Sequence, residues 1–260
     1  MADNKDFIID QFTRQAVNFS RMPGHNDEDS IVLLKRLAGV SRKDEVLDVA
    51  CGSGIVACAF AEDAGHVTGI DITPAMLEMS ETLASQRGLV NLSWHEGDIE
   101  SLPFPDNSFS LVISRYAFHH FPRPDLVMAE MVRVCRPGGK ILIADAALPA
   151  DKVDAYNRFE KLLDPSHHRA LSIDELQDLP ANAGLLNVQL VFYKMEMDLD
   201  QQISVMFPNP GDDEQIRRLF REDIGVDRLG VGAHLRGDRI HFAYPITVLI
   251  AEKGITKHSN

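Results

Sequence analysis

From residue 45 onward, short apolar runs alternate with stretches of helical spacing. Val46-Leu47-Asp48-Val49-Ala50 carries no polar alternation, the pattern of a strand buried on both faces. It enters the glycine turn Cys51-Gly52-Ser53-Gly54 and then a helix over 55–61. His66-Val67-Thr68-Gly69-Ile70-Asp71 reads as a second strand ending in an acid. The next helix starts near Pro74, which suits a first helical turn, and Gly88 stops it. Residues 91–98, 109–114 and 140–145 predict three further strands. A proline-rich turn at 102–108, a helix over 124–135 and the turn Arg136-Pro137-Gly138-Gly139 separate them. Five strands alternating with helices predict an α/β fold, a doubly wound parallel sheet with right-handed crossovers.

The flanking regions are looser. Phe7, Ile8, Phe12, Ala16 and Phe19 fall near helical spacing within 5–20, and Met22-Pro23-Gly24-His25 ends that helix. A second helix is expected over 27–38, with an acidic first turn and Gly39 as its stop. Beyond 146, a helix is expected over 151–163. Ser172-Ile173-Asp174-Glu175 is a capping-box signature for a helix reaching about residue 183. A long strand follows over 187–197. Residues 198–236 read as polar and irregular, with one helix at 212–222, before a closing strand over 240–251.

Composition narrows the function classes. The 260 residues are 45% hydrophobic and 25% charged, ordinary for a globular chain. A net charge of −13 argues against a nucleic-acid partner held by its phosphates. No apolar run approaches the roughly 20 residues of a membrane span. The start, Met1-Ala2-Asp3-Asn4-Lys5-Asp6, is acidic where a secretory signal is basic and then apolar. Cys51, Cys58 and Cys135 are an odd number for a disulfide framework and lack metal-ligand spacing. A cytoplasmic protein without a metal site is therefore expected.

The glycine turn carries the first candidate chemistry. Gly52 and Gly54 have no Cβ, so a ligand can lie against the backbone, and the following helix presents free N–H groups. Gly52-Ser53-Gly54-Ile55-Val56-Ala57 satisfies G-x-G-x-x-G/A, and Asp71 lies about 20 residues on. On these residues alone, a nicotinamide or flavin site and an S-adenosylmethionine site are equal alternatives.

Several separate pieces then resemble the class I S-adenosylmethionine-dependent methyltransferases. They are VLDVACGSG, the strand-ending GID at 69–71, EGDIESLPFPDNSFSLVISRYAFHHF at 96–121 and RPGGKILIAD at 136–145. The chain looks most similar to the small-molecule branch that includes the ubiquinone and menaquinone C-methyltransferases. The resemblance covers about 40–146. It implies a mostly parallel seven-stranded sheet whose last strands form an antiparallel hairpin, and S-adenosylmethionine as cofactor. Its implied binding residues are Asp48, Ala50, Gly52 and Gly54 around the turn, and Asp71 on the ribose hydroxyls. Ile72 and Met76 would lie against the ring, Gly97, Asp98 and Ile99 at the adenine, and Arg115 at the carboxylate end. Asp48 would meet the ammonium tail, where a pyrophosphate would reject it; it could instead cap backbone in a buried turn. Asp98 could be only an N-cap, and Met76 only core.

Methyl transfer would make the carboxyl end of the fourth strand the reaction site, with a small organic acceptor as partner. His119 and His120 are the candidate bases there, His120 first, because a neutral imidazole can take a proton. The alternative is that one packs beneath a helix and the other only lines the pocket. The quinone enzymes carry an Arg-Asn pair where this chain has Phe118-His119-His120, a departure that leaves the acceptor open. One domain over 1–260 is expected, with a cofactor core at 40–146 and a substrate cover from 1–39, 147–185 and 198–238. Phe12, Arg14 and Phe19 are candidates for a lid. His167-His168-Arg169, Phe207, His234 and Arg236 are weaker pocket candidates. An NAD(P)-dependent oxidoreductase and a non-catalytic cofactor-binding scaffold are the competing functions. Oligomeric state is not legible.

Overall fold

Strands form where the uniformly apolar runs fall, and their order decides where a ligand can sit. The computed structural model describes residues 4–19 and 28–255, with side chains for 7–14 and 28–255. The predicted break at 22–25, residue 27 and the Phe19 side chain lie outside the described residues. Two helices, α1 (Asn4–Phe19) and α2 (Glu28–Ala38), precede the sheet. Then come β1 (Glu45–Val49), α3 (Ile55–Ala61), β2 (His66–Asp71), α4 (Pro74–Gln86) and β3 (Leu92–Glu96). After β4 (Phe109–Arg115) the chain makes a single 3-10 turn, Phe118–His120. It continues through α5 (Pro124–Val134), β5 (Cys135–Leu148), α6 (Val153–Leu163), β6 (Leu171–Ser172) and α7 (Ile173–Asn182). The last elements are β7 (Leu186–Asp198), α8 (Leu199–Met206), α9 (Asp212–Asp223), β8 (His234–Arg236) and β9 (Arg239–Glu252).

The main sheet runs β3-β2-β1-β4-β5-β9-β7, a seven-stranded path with short β6 on β5 and β8 on β9. β1 to β5 pair in parallel, and β9 is antiparallel to both β5 and β7. This is the expected mostly parallel sheet with an antiparallel end. The chain winds outward in opposite directions from neighbouring β1 and β4, so a crevice opens beyond their carboxyl ends. Ser114 closes its base, donating from Oγ to the Val49 carbonyl at 2.9 Å.

Alternation along β1 assigns its side chains to two cores. Val46 joins one cluster with Phe60 of α3, while Leu47 and Val49 join the other with Met128 and Met131 of α5. Fully burying a side chain of this size contributes about 1.5–3 kcal/mol. On the α3 side, Phe159, Phe220, Phe242 and Tyr244 meet edge to face at centroid spacings of 5.0–5.1 Å. That row fixes α6 and α9 onto β9, and therefore fixes Glu160, next to Phe159.

Two elements differ from expectation. Residues 136–139 are not a free turn but part of β5: Gly138 N–H donates to the Lys253 carbonyl at 2.7 Å, and Lys253 N–H to Gly139 at 2.9 Å. Gly138, at φ 77°, absorbs the irregularity. Residues 199–206, expected to be irregular, form α8, whose N-cap Asp198 accepts from Gln201 N–H at 2.9 Å. The capping box at Ser172 and Glu175 forms as predicted.

Candidate functional site

The glycine turn is built on left-handed backbone at Ala50 (φ 56°), Gly52 (φ 52°) and Gly54 (φ 76°). A non-glycine residue in that region is strained, and such strain gathers at ligand sites. The two glycines differ in purpose. A Cβ on Gly54 would lie 2.8 Å from Ser80 Cβ and from the Trp94 ring, so Gly54 permits packing. A Cβ on Gly52 would meet nothing within 4 Å. Gly52 borders a cavity of about 420 Å³ beyond the strand ends, and a side chain there would occupy room a ligand could use.

Residues from several elements reach that cavity. Asp71, at the end of β2, accepts from Gly52 N–H at 2.8 Å and from Thr73 N–H at 2.9 Å. Burial pushes its carboxyl up, against those two hydrogen bonds. Asp98 lies after β3 and accepts from Glu100 N–H at 3.0 Å. Ala50, Ile72, Met76, Ile99 and Arg115 are on the wall as well. Arg115 lies over the Tyr116 ring at 4.2 Å and donates to the Ser30 hydroxyl at 3.0 Å. Ile8 and Phe12 of α1 cover the opening, and Gln11 ties α1 to the Met206 carbonyl at 3.3 Å.

Four candidates stand elsewhere. Asp48 is 1% exposed and does not line the cavity; its carboxyl accepts from Ala57 N–H beneath the turn, and Oδ2 has no partner among the described residues. Burial pushes it up to about 8, so it is mainly a neutral acid at pH 7. Gly54 packs as described. Gly97 lets β3 pass Ile70, whose Cδ1 would be 3.0 Å from a Cβ. His119 turns away from the large cavity into a second chamber of about 60 Å³.

His120 and Tyr116 line both spaces. His120 Nδ1 is 3.2 Å from the Ser166 carbonyl, and its ring meets Phe12 edge-on at 5.0 Å. Burial, with His119 beside it, lowers the imidazole to about 4, so the ring is neutral at pH 7. His119 bonds Asp145 through Nδ1 at 2.7 Å. Burial alone would lower His119, but Asp145 outweighs it and the pKa is raised. Asp145 also accepts from Phe118 N–H at 2.7 Å, which locks the 3-10 turn onto β5.

The weaker candidates separate. His167 is buried and bonds Asn157 through Nε2 at 2.7 Å, a structural place rather than a solvated loop, whereas Arg169 pairs with exposed Glu175. Arg14 pairs with Asp10 on the surface. Phe207 is exposed, Arg236 pairs with Glu196, and His234 bonds Gly232; none of the three lines either space. Sequence reasoning missed Tyr116, Asp145, Glu160 and Gln202. Glu160 was detectable, because it falls on the apolar stripe of α6 with Val153, Tyr156 and Leu163. Gln202 carries the same signal on α8, on the stripe of Leu199, Ile203 and Met206.

Residues 47–143 match the family described as Methyltransferase domain. The demethylmenaquinone methyltransferase of Anoxybacillus flavithermus is 30% identical over 209 residues, 67% of this chain and 88% of that protein. This chain belongs to the class I S-adenosylmethionine-dependent methyltransferases. The uncharacterized methyltransferase YcgJ of Bacillus subtilis is 35% identical over 151 residues, 57% of this chain. That match spans 60% of YcgJ, under two thirds of its length. The crystal structure of YcgJ superposes with a TM-score of 0.81 at 28% identity, covering 87% of this chain and 98% of that one. Family membership decides the glycine turn in favour of S-adenosylmethionine over a dinucleotide. Among the described residues, no helix is long and apolar enough to cross a membrane.

Proposed function

We propose that this methyltransferase moves the methyl group of S-adenosylmethionine to a small organic acceptor presented at His120. The observation that carries the reading is convergence: Asp71, Asp98 and Arg115, from three strand ends, border one cavity of about 420 Å³ beside the open face of Gly52. A nucleoside with a ribose, an adenine and a charged amino-acid tail needs that set. Asp71 keeps lone pairs for the ribose hydroxyls beyond those used by Gly52 and Thr73. Asp98 would take the adenine amino group with Ile99 beside it, Ile72 and Met76 the ring faces, and Arg115 the carboxylate. Asp48 would act from below, bracing the turn through Ala57.

When bound, the cofactor would supply an activated methyl carbon to the acceptor atom, with its sulfur as the leaving atom that keeps the electron pair. The protein aligns the acceptor and excludes water, with Ile8 and Phe12 closing over the cavity. His120 takes the acceptor's proton. A neutral ring donating from Nδ1 to Ser166 carries its lone pair on Nε2. His119 beside it, raised by Asp145, adds to burial in disfavouring a charge on His120. Phe118-His119-His120 replaces the Arg-Asn pair of the quinone enzymes, which favours a different acceptor. Three free, buried cysteines suit a reducing cytoplasm.

An acceptor screen reading S-adenosylhomocysteine formation tests the function, and His120→Ala tests the base. With the histidine at about 4, turnover should be flat from about pH 5.5 to 8, with no inflection near 6.5. His120→Ala should lower kcat about 100-fold or more with cofactor affinity unchanged. Wild-type turnover in that variant across pH contradicts the base. Cofactor binding without turnover on any acceptor class contradicts the enzyme reading in favour of a scaffold.

A further inference from the structure

The chamber behind His120 has a chemistry of its own. Three carboxyl groups line it: Asp145 from β5, and Glu160 and Asp164 from α6 and its end. No described lysine or arginine does. Two buried oxygens in its wall, Glu160 Oε1 and Gln202 Oε1, have no hydrogen-bond partner among the described residues. Buried polar atoms without partners are costly, so a pair of them marks the place of a donor group that the protein does not provide. Met195, Met197 and Met206 supply an apolar, polarizable remainder, and the aromatic rings of Tyr156 and Tyr244, a residue type that attracts cations, complete the lining. About 60 Å³ holds a group of a few heavy atoms, since a water needs roughly 10–15 Å³ on this measure.

We propose that this chamber anchors a protonated amine of the acceptor, with Glu160 and Gln202 as its hydrogen-bond partners. The proposal rests on the methyl-transfer reading, and it names the acceptor class: a small molecule with an ammonium head. The head lies against Glu160, and the atom to be methylated lies at the junction by Tyr116 and His120. An anionic head would face three carboxyl groups and no described lysine or arginine, with His119 already paired to Asp145, and is rejected.

Binding carries a proton signature. Burial lifts the Glu160 carboxyl to about 8, so in the free protein it is mostly protonated at pH 7. The groups around it are His119 of the 3-10 turn, Asp164, Asp145, Tyr244 of β9 and Tyr156 of its own helix. An ammonium at Glu160 favours its ionised form, and the proton leaves to buffer.

The test uses the full chain and three probes of equal length: n-butylammonium, n-butanol and butyrate. S-adenosylhomocysteine affinity is measured first, and failure to bind it overturns both readings. With that ligand bound, NMR titration should show n-butylammonium binding at least tenfold more tightly than the other two. Glu160→Gln should reduce that preference at least fivefold while S-adenosylhomocysteine affinity stays unchanged. Calorimetry of the wild type in two buffers at pH 7 should show close to one proton released per ammonium and none for butanol, a readout that needs no variant to fold. Equal affinities, preference for butyrate, no saturable ammonium binding, or no proton release overturns the ammonium site and leaves the cofactor reading standing.

Discussion

At the scale of single residues, neighbouring glycines do different work. Gly52→Ala adds a methyl where nothing lies within 4 Å, at φ 52°, so its folding cost is the left-handed strain alone, about 1–2 kcal/mol. Gly54→Ala adds the same strain and also drives a Cβ to 2.8 Å from Ser80 and Trp94. Gly52→Ala is expected to melt only slightly below wild type yet bind S-adenosylhomocysteine at least tenfold more weakly. Gly54→Ala is expected to lose more stability than Gly52→Ala. Melting and binding titrations of both variants check this; equal binding by Gly52→Ala and wild type contradicts the cavity assignment. The sequence pattern names both glycines, but it does not separate their roles, because spacing does not say what a missing Cβ would touch. Asp48 shows the same limit. An acid before a glycine turn reads as a ligand, yet the alternation of β1 sends it under α3, where it bonds Ala57.

At the scale of elements, legibility follows locality. The first four strands and α3 to α5 come from continuous apolar runs and local stop signals, and each forms within a residue or two of expectation, whereas β5 runs longer than 140–145 at both ends. The capping box is equally local. Residues 136–139 were misread because glycine and proline announce a turn, while the partner that keeps them extended is Lys253, more than 110 residues away. α8 was missed because it is only eight residues long and its cap, Asp198, ends a long strand. The candidate site divides the same way. Asp71, Asp98 and Arg115 sit at strand ends that a pattern can locate. Glu160, Asp145 and Gln202 meet only because α6 and α8 pack on β9 and the 3-10 turn. The place of α6 comes from the row Phe159, Phe220, Phe242 and Tyr244, which joins α6, α9 and β9 and has no local signature.

At the scale of the molecule, buried ionisable groups shape stability against pH. Burial raises Asp48 and Glu160 to about 8. A raised native pKa gives stability that is full below the unfolded values, 3.8 and 4.5, and is lost as pH rises through about 8. His119, also raised, adds to that alkaline loss. His120 works in the opposite sense: held at about 4, its contribution is present above 6.5 and lost as pH falls through about 4. The ligand-free chain should therefore melt highest near pH 5–6.5 and lose more than about 5 °C by pH 9, at about 2–4 °C per kcal/mol for a chain of this size. A melting temperature that rises steadily from pH 6 to 9 contradicts the neutral buried acids.

The central claim is that strand-end acids hold a sulfonium nucleoside in the cavity beside Gly52. Titration calorimetry with S-adenosylhomocysteine on wild type and on Asp71→Ala, both verified as folded by melting, tests it most directly. Two hydrogen bonds to a charged group, at about 1.5–3 kcal/mol each, predict a loss of affinity of at least about 100-fold in the variant. Equal affinity in the two proteins would contradict the account.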